Sequence, residues 1–164
     1  MNDYGVTGAT TGAEVIIKMP VDAVWTGITA IERYGEWSPE CIYGAWLDGA
    51  GPARGARFEA RNRFADGLET YVTCVVTVAD EPRRFGWDVY GDEDVPFAHW
   101  EYELQPQGST TLVKQSFTHG PGDSGLRAGV RRYPDQAAEV IKGRLDQLSA
   151  NMCTTLAAME SALR

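Results

Sequence analysis

Three polar side chains fall where a β-strand pattern turns them toward the interior, and they are the residues best placed for chemistry. His119 closes the run 110–119, just ahead of a Gly-Pro-Gly loop. Alternation puts it on one face with Val113, Gln115 and Phe117. An imidazole in that position titrates near neutral pH and suits a general base. The plainer alternative is a rim histidine bonded to backbone. Tyr102 shares a face with Ala98, Trp100 and Leu104, opposite His99, Glu101 and Glu103. Its hydroxyl can donate to a carbonyl or enolate oxygen, or it can sit at the edge of an ordinary core. Asn62 lies between Ala60 and Phe64 on an apolar face. An amide buried there without a partner costs about 1–3 kcal/mol, so it needs a backbone group, a water or a ligand. The same logic applies to Gln115.

Motifs for several common chemistries are missing. The chain has no GxxxxGK[ST] loop, no GxGxxG opening a helix after a strand, no HExxH, no GxSxG and no paired-cysteine spacing. Its two histidines are twenty residues apart, too sparse for a Ser-His-Asp triad or a multi-histidine metal site. No metal and no cofactor are expected.

The elements that must position these groups follow from periodicity. Residues 13–19 predict a first strand ended by Pro20. Residues 21–31, with Val24, Ile28 and Ile31 at helical spacing, predict a helix that Gly35 breaks before a second short turn around Trp37. From Cys41 the period becomes two. Strands are predicted over 41–48, 56–64, 68–79, 84–90, 97–105 and 110–119, with a hairpin at Asp66-Gly67. Inward faces carry Phe58, Ala60, Asn62 and Phe64; Val72, Cys74, Val76 and Val78; and Phe85, Trp87 and Val89. A short helix over 126–132 leads into a long one from Pro134 to Leu163. That helix carries an apolar stripe at Ile141, Leu145, Leu148, Met152, Leu156, Met159 and Leu163. At about 1.5 Å per residue it is about 45 Å long and must cross the whole domain. Met152 and Met159 sit in the stripe, where methionine usually fills gaps. Trp37 either gates one end of the interior or packs the short helices over it. Aromatic rings with one polar handle suit a pocket for a flat, partly oxygenated molecule. Plain core packing is the alternative for the same rings.

Composition narrows the class. A net charge of −8 argues against nucleic acid and anionic membranes as partners. No run of about 18 apolar residues is present to span a bilayer. Residues 1–12, rich in Gly and Thr, lack the pattern of a signal peptide and are expected to be a loose segment before a single domain at 13–164. Three widely spaced cysteines suggest reduced, mostly buried thiols and a cytoplasmic protein. A monomer or a homodimer fits.

The order of elements, with the ERYGEW turn, the HWEYEL and LVKQSF strands and the long C-terminal helix, resembles the helix-grip superfamily. That group includes START lipid-transfer domains, birch-pollen-allergen-like proteins and the polyketide cyclase/dehydrase family, together called SRPBCC. The resemblance covers roughly residues 13–163. The segments GPGDSGL, PDQ and NMCTTL look like a bacterial branch of it. It implies an α+β fold, a curved antiparallel sheet of about seven strands wrapped around the C-terminal helix, with two short helices after the first strand. It also implies a deep apolar cavity that binds a hydrophobic small molecule (a lipid, steroid or aromatic polyketide), for a carrier or sensor. The ligand-binding set expected on that basis is Trp37, Phe58, Asn62, Phe64, Trp87, Trp100, Tyr102, Gln115, Phe117, His119 and Met152. Two alternatives stand beside it. One is an enzyme resembling aromatase/cyclases, with His119 as base, Tyr102 as acid and Asn62 as oxyanion donor. The other is a partner-binding module with a filled interior and a working surface around Trp46 or Tyr43.

Overall fold

A computed structural model describes residues 2–164. Seven strands form one antiparallel sheet in the order β1-β7-β6-β5-β4-β3-β2. They are β1 (Thr10–Ile17), β2 (Cys41–Trp46), β3 (Arg57–Arg63), β4 (Glu69–Asp80), β5 (Arg84–Tyr90), β6 (Ala98–Gln107) and β7 (Thr110–His119). Strands β2 to β7 follow one another as a meander, and β1 closes against β7. The sheet curls into a half-barrel around the long helix α4 (Ala137–Leu163). Between β1 and β2 lie α1 (Val21–Ile28), a 3-10 turn (Ile31–Arg33) and α2 (Tyr34–Trp37). A third short helix, α3 (Gly125–Arg132), precedes α4. This is the α+β helix-grip architecture expected from the sequence.

Period-two patterning explains the curl. Phe58, Cys74, Val76, Phe85, Trp87, Val89, Ala98, Tyr102, Leu104, Val113 and Phe117 are all buried and belong to one core with Leu148, Met152, Leu156 and Met159 of α4. Arg57, Glu59, Glu103 and Tyr71 lie on the exposed face. Sheet and helix each have one apolar side, and each covers the other. The helix backbone runs closest to β1, α2 and α3, while the middle strands stay farther from it. Side chains must therefore fill or frame the space between.

Three local differences from the sequence reading have physical causes. First, β1 begins at Thr10, not Ala13. Val6 is fully buried in a second small core with Val130 and Ala137. Arg127 pairs with Asp3 and donates to Thr7 Oγ1 at 2.9 Å. Second, Gly35 does not end a helix. It lies within α2, where a side chain would meet the Ile42 carbonyl oxygen at 2.6 Å. Gly44 plays the same part in β2 against the Ile31 carbonyl at 2.7 Å. Together they let the short helical segments sit directly on the edge strand. Third, Val78 is not on the inner face. A bulge between Val76 and Val78 shifts the register, so Ala79 pairs with Phe85 and packs into the core.

Candidate ligand-binding site

Aromatic rings line the concave face from the β2 edge as far as β7. Trp46 meets Phe58 at 5.3 Å between ring centroids, and Phe58 meets Trp87 at 5.6 Å. Trp87 stacks on Trp100 at 6.4 Å with 14° between planes. Trp100 in turn packs edge-on against Phe117 at 5.1 Å. The rings come from β2, β3, β5, β6 and β7 in spatial order, because strand alternation points every second residue at α4. Met152, buried on α4, belongs to the same core. Trp46 faces this interior and is not a free surface residue. Tyr43 is on the outer face and 44% exposed.

One end of the concave face is less covered. Ala60, Asn62, Phe64 and Val72 are only half-buried there. Asn62 pairs in register with Cys41 and Thr70. It is half-buried, and its amide is not one of the buried groups left without a partner. Phe64 lies just past β3, with the Arg144 guanidinium 5.6 Å from its ring. Arg144 makes a two-pronged pair with Glu40, at 2.7 and 2.9 Å. This joins α4 to the segment before β2 across that end.

His119 is buried, 2% exposed, and both ring nitrogens are occupied. Nδ1 lies 2.6 Å from the Gly120 carbonyl oxygen, and Nε2 lies 2.6 Å from Ser124 Oγ. A carbonyl only accepts, so the proton is on Nδ1 and the Ser124 hydroxyl donates to Nε2. Ser124 Oγ also accepts from the Arg127 backbone N–H at 3.1 Å, capping α3. Burial, then the nearby Arg127 charge, push this imidazole below its usual pKa, against the pull of the Gly120 hydrogen bond. The parity expected for His119 holds. The lone pair needed for a general base is already engaged.

Tyr102 is 1% exposed, and its oxygen is 3.1 Å from the Tyr34 hydroxyl. Tyr34 donates to the Ile28 carbonyl. Burial pushes Tyr102 up to about 12, and it also raises Tyr34 well above the phenol range. Both stay protonated at neutral pH. Gln115, beside Tyr102 in register, is 7% exposed. Its Oε1 is buried without a hydrogen-bond partner, and so is Trp37 Nε1. An Arg33 guanidinium covers the Trp37 ring at 4.9 Å. Among the described residues no three His, Cys, Asp or Glu side chains gather into a metal-binding group.

The structure thus brings Trp37, Phe58, Trp87, Trp100, Tyr102, Gln115, Phe117, His119 and Met152 inside, with Asn62 and Phe64 at the rim. Sequence reasoning missed Tyr34, Glu40 and Arg144. Tyr34 lies in a four-residue helix too short for a period to reveal its direction. Glu40 and Arg144 are 104 residues apart, and only the fold joins them. A groove of about 350 Å³ opens beside the less covered end of the concave face, lined by the outward Tyr43, Glu59, Arg61 and Tyr71 and by Ala60 and Val72 of the inner row, among others.

A half-barrel gripping a terminal helix, with an aromatic inner lining, defines a helix-grip protein. The sequence matches the family described as polyketide cyclase / dehydrase and lipid transport over residues 9–156, and the chain belongs to that family. No curated protein matches it by sequence. Solved structures agree with the fold. A polyketide-cyclase-like protein from Corynebacterium glutamicum, Cgl2372, is 29% identical, with a TM-score of 0.65; the match covers 96% of this chain and 92% of that one. The Zhui aromatase/cyclase from Streptomyces sp. R1128 is 16% identical, with a TM-score of 0.70 over 94% of this chain and 92% of that one. A START superfamily protein from Mycobacterium smegmatis is 16% identical, with a TM-score of 0.59 over 87% and 100%.

Proposed function

We propose that the protein binds a hydrophobic small molecule between the concave face and α4, as a carrier or sensor. The observation that carries this reading is the run of rings from Trp46 to Phe117, in which Trp46 and Trp100 are only half-buried, with Asn62 and Phe64 at a less covered end of the same face. A core built only for stability would seal its largest rings, since a fully buried aromatic side chain contributes about 1.5–3 kcal/mol. Trp100, half-buried midway along β6, forgoes part of that gain. A guest sliding between the rings and α4 would recover it. Family membership supports the same direction. The test is tryptophan fluorescence titration and native mass spectrometry with fatty acids, sterols and flat polyphenols. At least one class should quench Trp87 and Trp100 and ride with the protein at 1:1. If no member of the panel binds, the reading fails.

Cyclase-type catalysis is a second reading, favoured by the buried Tyr34–Tyr102 hydroxyl pair. Tyr34 donates its one hydroxyl hydrogen to Ile28, so Tyr102 is the free donor of the pair, and a developing enolate oxygen would take over the hydrogen bond it now gives Tyr34. On this reading Tyr102→Phe abolishes conversion of a poly-β-ketone probe and leaves its binding within about threefold. Turnover at the wild-type rate would reject the role.

A further inference from the structure

Two deeply buried side chains on the inner side of the fold carry polar atoms that nothing in the protein satisfies. Gln115 Oε1 only accepts and Trp37 Nε1–H only donates. Their side chains are 7% and 5% exposed. Buried polar groups are otherwise almost always paired, so each orphan is open to a partner from outside the chain, a water or a guest. Gln115 lies on the inner row of β7 between Val113 and Phe117, with Tyr102 beside it on β6 and Ala13 on β1. Neither neighbour satisfies Oε1.

Charge narrows what that partner is. The inward positions of β3 to β7 carry no Asp, Glu, Lys or Arg. His119 is neutral and doubly bonded within the chain. Arg144, at the rim, is already paired to Glu40. A carboxylate or phosphate inside would meet no counter-charge. An ammonium would meet no carboxylate. Either would be buried unpaired.

We infer that Gln115 is a specificity-determining residue that selects a neutral aromatic guest bearing a hydroxyl, the hydroxyl donating to Oε1. The inference rests on the ligand-binding reading above. Trp37, from α2, offers its indole N–H to an acceptor oxygen of the guest. Fatty acids, anionic and without a donor at neutral pH, are selected against.

The test uses matched pairs that differ only in the donor: 2-naphthol against 2-methoxynaphthalene, and estrone against its 3-methyl ether. Calorimetric titration of the wild type should show the hydroxyl member binding about tenfold or more tightly. Gln115→Leu should abolish that preference, while the melting temperature of the ligand-free variant stays level or rises, because the orphan acceptor is gone. A residue merely structural in role would lower it. Equal binding of both members to the wild type overturns the inference, and that comparison stands even if the Leu variant does not fold. So does a hydroxyl preference that survives in Gln115→Leu. If neither these probes nor the wider panel bind at all, the ligand-binding reading itself is what fails.

Discussion

The two histidines have opposite electrostatics. His99, on the outer face, lies between Asp88 at 2.8 Å and Glu101 at 3.0 Å. Burial alone would lower its pKa, but the hydrogen bonds to Glu101 and Asp88 and their charges outweigh it, and the net shift is upward. His119 is shifted downward, chiefly by burial. The signs follow from linkage. A raised histidine binds more protons folded than unfolded, so its contribution is complete below about 6.5 and is lost as pH rises through its folded value. A lowered histidine contributes above about 6.5, and that contribution is lost as pH falls toward its folded value. NMR titration of the imidazole carbons should therefore find His119 neutral at pH 6.5 while His99 is still mostly charged. Coincident midpoints would contradict both environments. Correspondingly, the gap in melting temperature between wild type and His99→Gln should be widest at acidic pH and shrink with added base. The inward direction of His119 was legible from alternation along β7. Its partners were not, because Ser124 lies beyond a loop whose path no periodicity gives. Gln115 was legible as inward and polar, whereas its lack of a partner is visible only once its neighbours are placed.

Helices and strands meet here through contacts of very different kinds. Gly35 and Gly44 permit backbone against backbone, and no flexible side chain stands ready to give way. Gly35→Ala and Gly44→Ala should each destabilise by about 1–3 kcal/mol in urea denaturation, with no change in ligand preference. Arg144–Glu40 is the opposite case, a charged fork bridging α4 and the start of β2. Both side chains are mostly covered, so Arg144→Ala should cost about 1–2 kcal/mol, more than an exposed pair. It should also speed ligand release, read as a faster dissociation phase in stopped-flow fluorescence, because the fork spans the open rim. Unchanged release would place the entry elsewhere. Alternation revealed most strand faces, and it failed at Val78. A single extra residue in a bulge inverts parity for everything after it, and Val76-Thr77-Val78-Ala79 contains no Gly or Pro to announce one. Gly35 misled for a related reason: a glycine that ends a helix and one that lets two elements touch look alike in sequence.

The whole molecule is held by reciprocal burial of one sheet face and one helix stripe. Leu156 is 1% exposed at the middle of that contact. Leu156→Ala should lower stability by about 2–5 kcal/mol in a cooperative unfolding transition. A smaller loss would mean that α4 collapses into the vacated space. A second, smaller core ties the residues before β1 to α3 and the start of α4 through Val6, Val130 and Ala137. The fold class was legible because a sustained period of two gives way to a long period of about 3.6. The place of the N-terminal segment was not, since one valine and one aspartate among glycines and threonines carry no periodic signal.

Trp87 and Trp100 have a consequence beyond packing. Two indoles 6.4 Å apart with planes 14° from parallel screen each other from water and from added quenchers. The folded protein should therefore carry a built-in optical gauge in the emission of this pair. Any molecule that wedges the rings apart would change that emission while the amide circular dichroism of sheet and helix stays as it was.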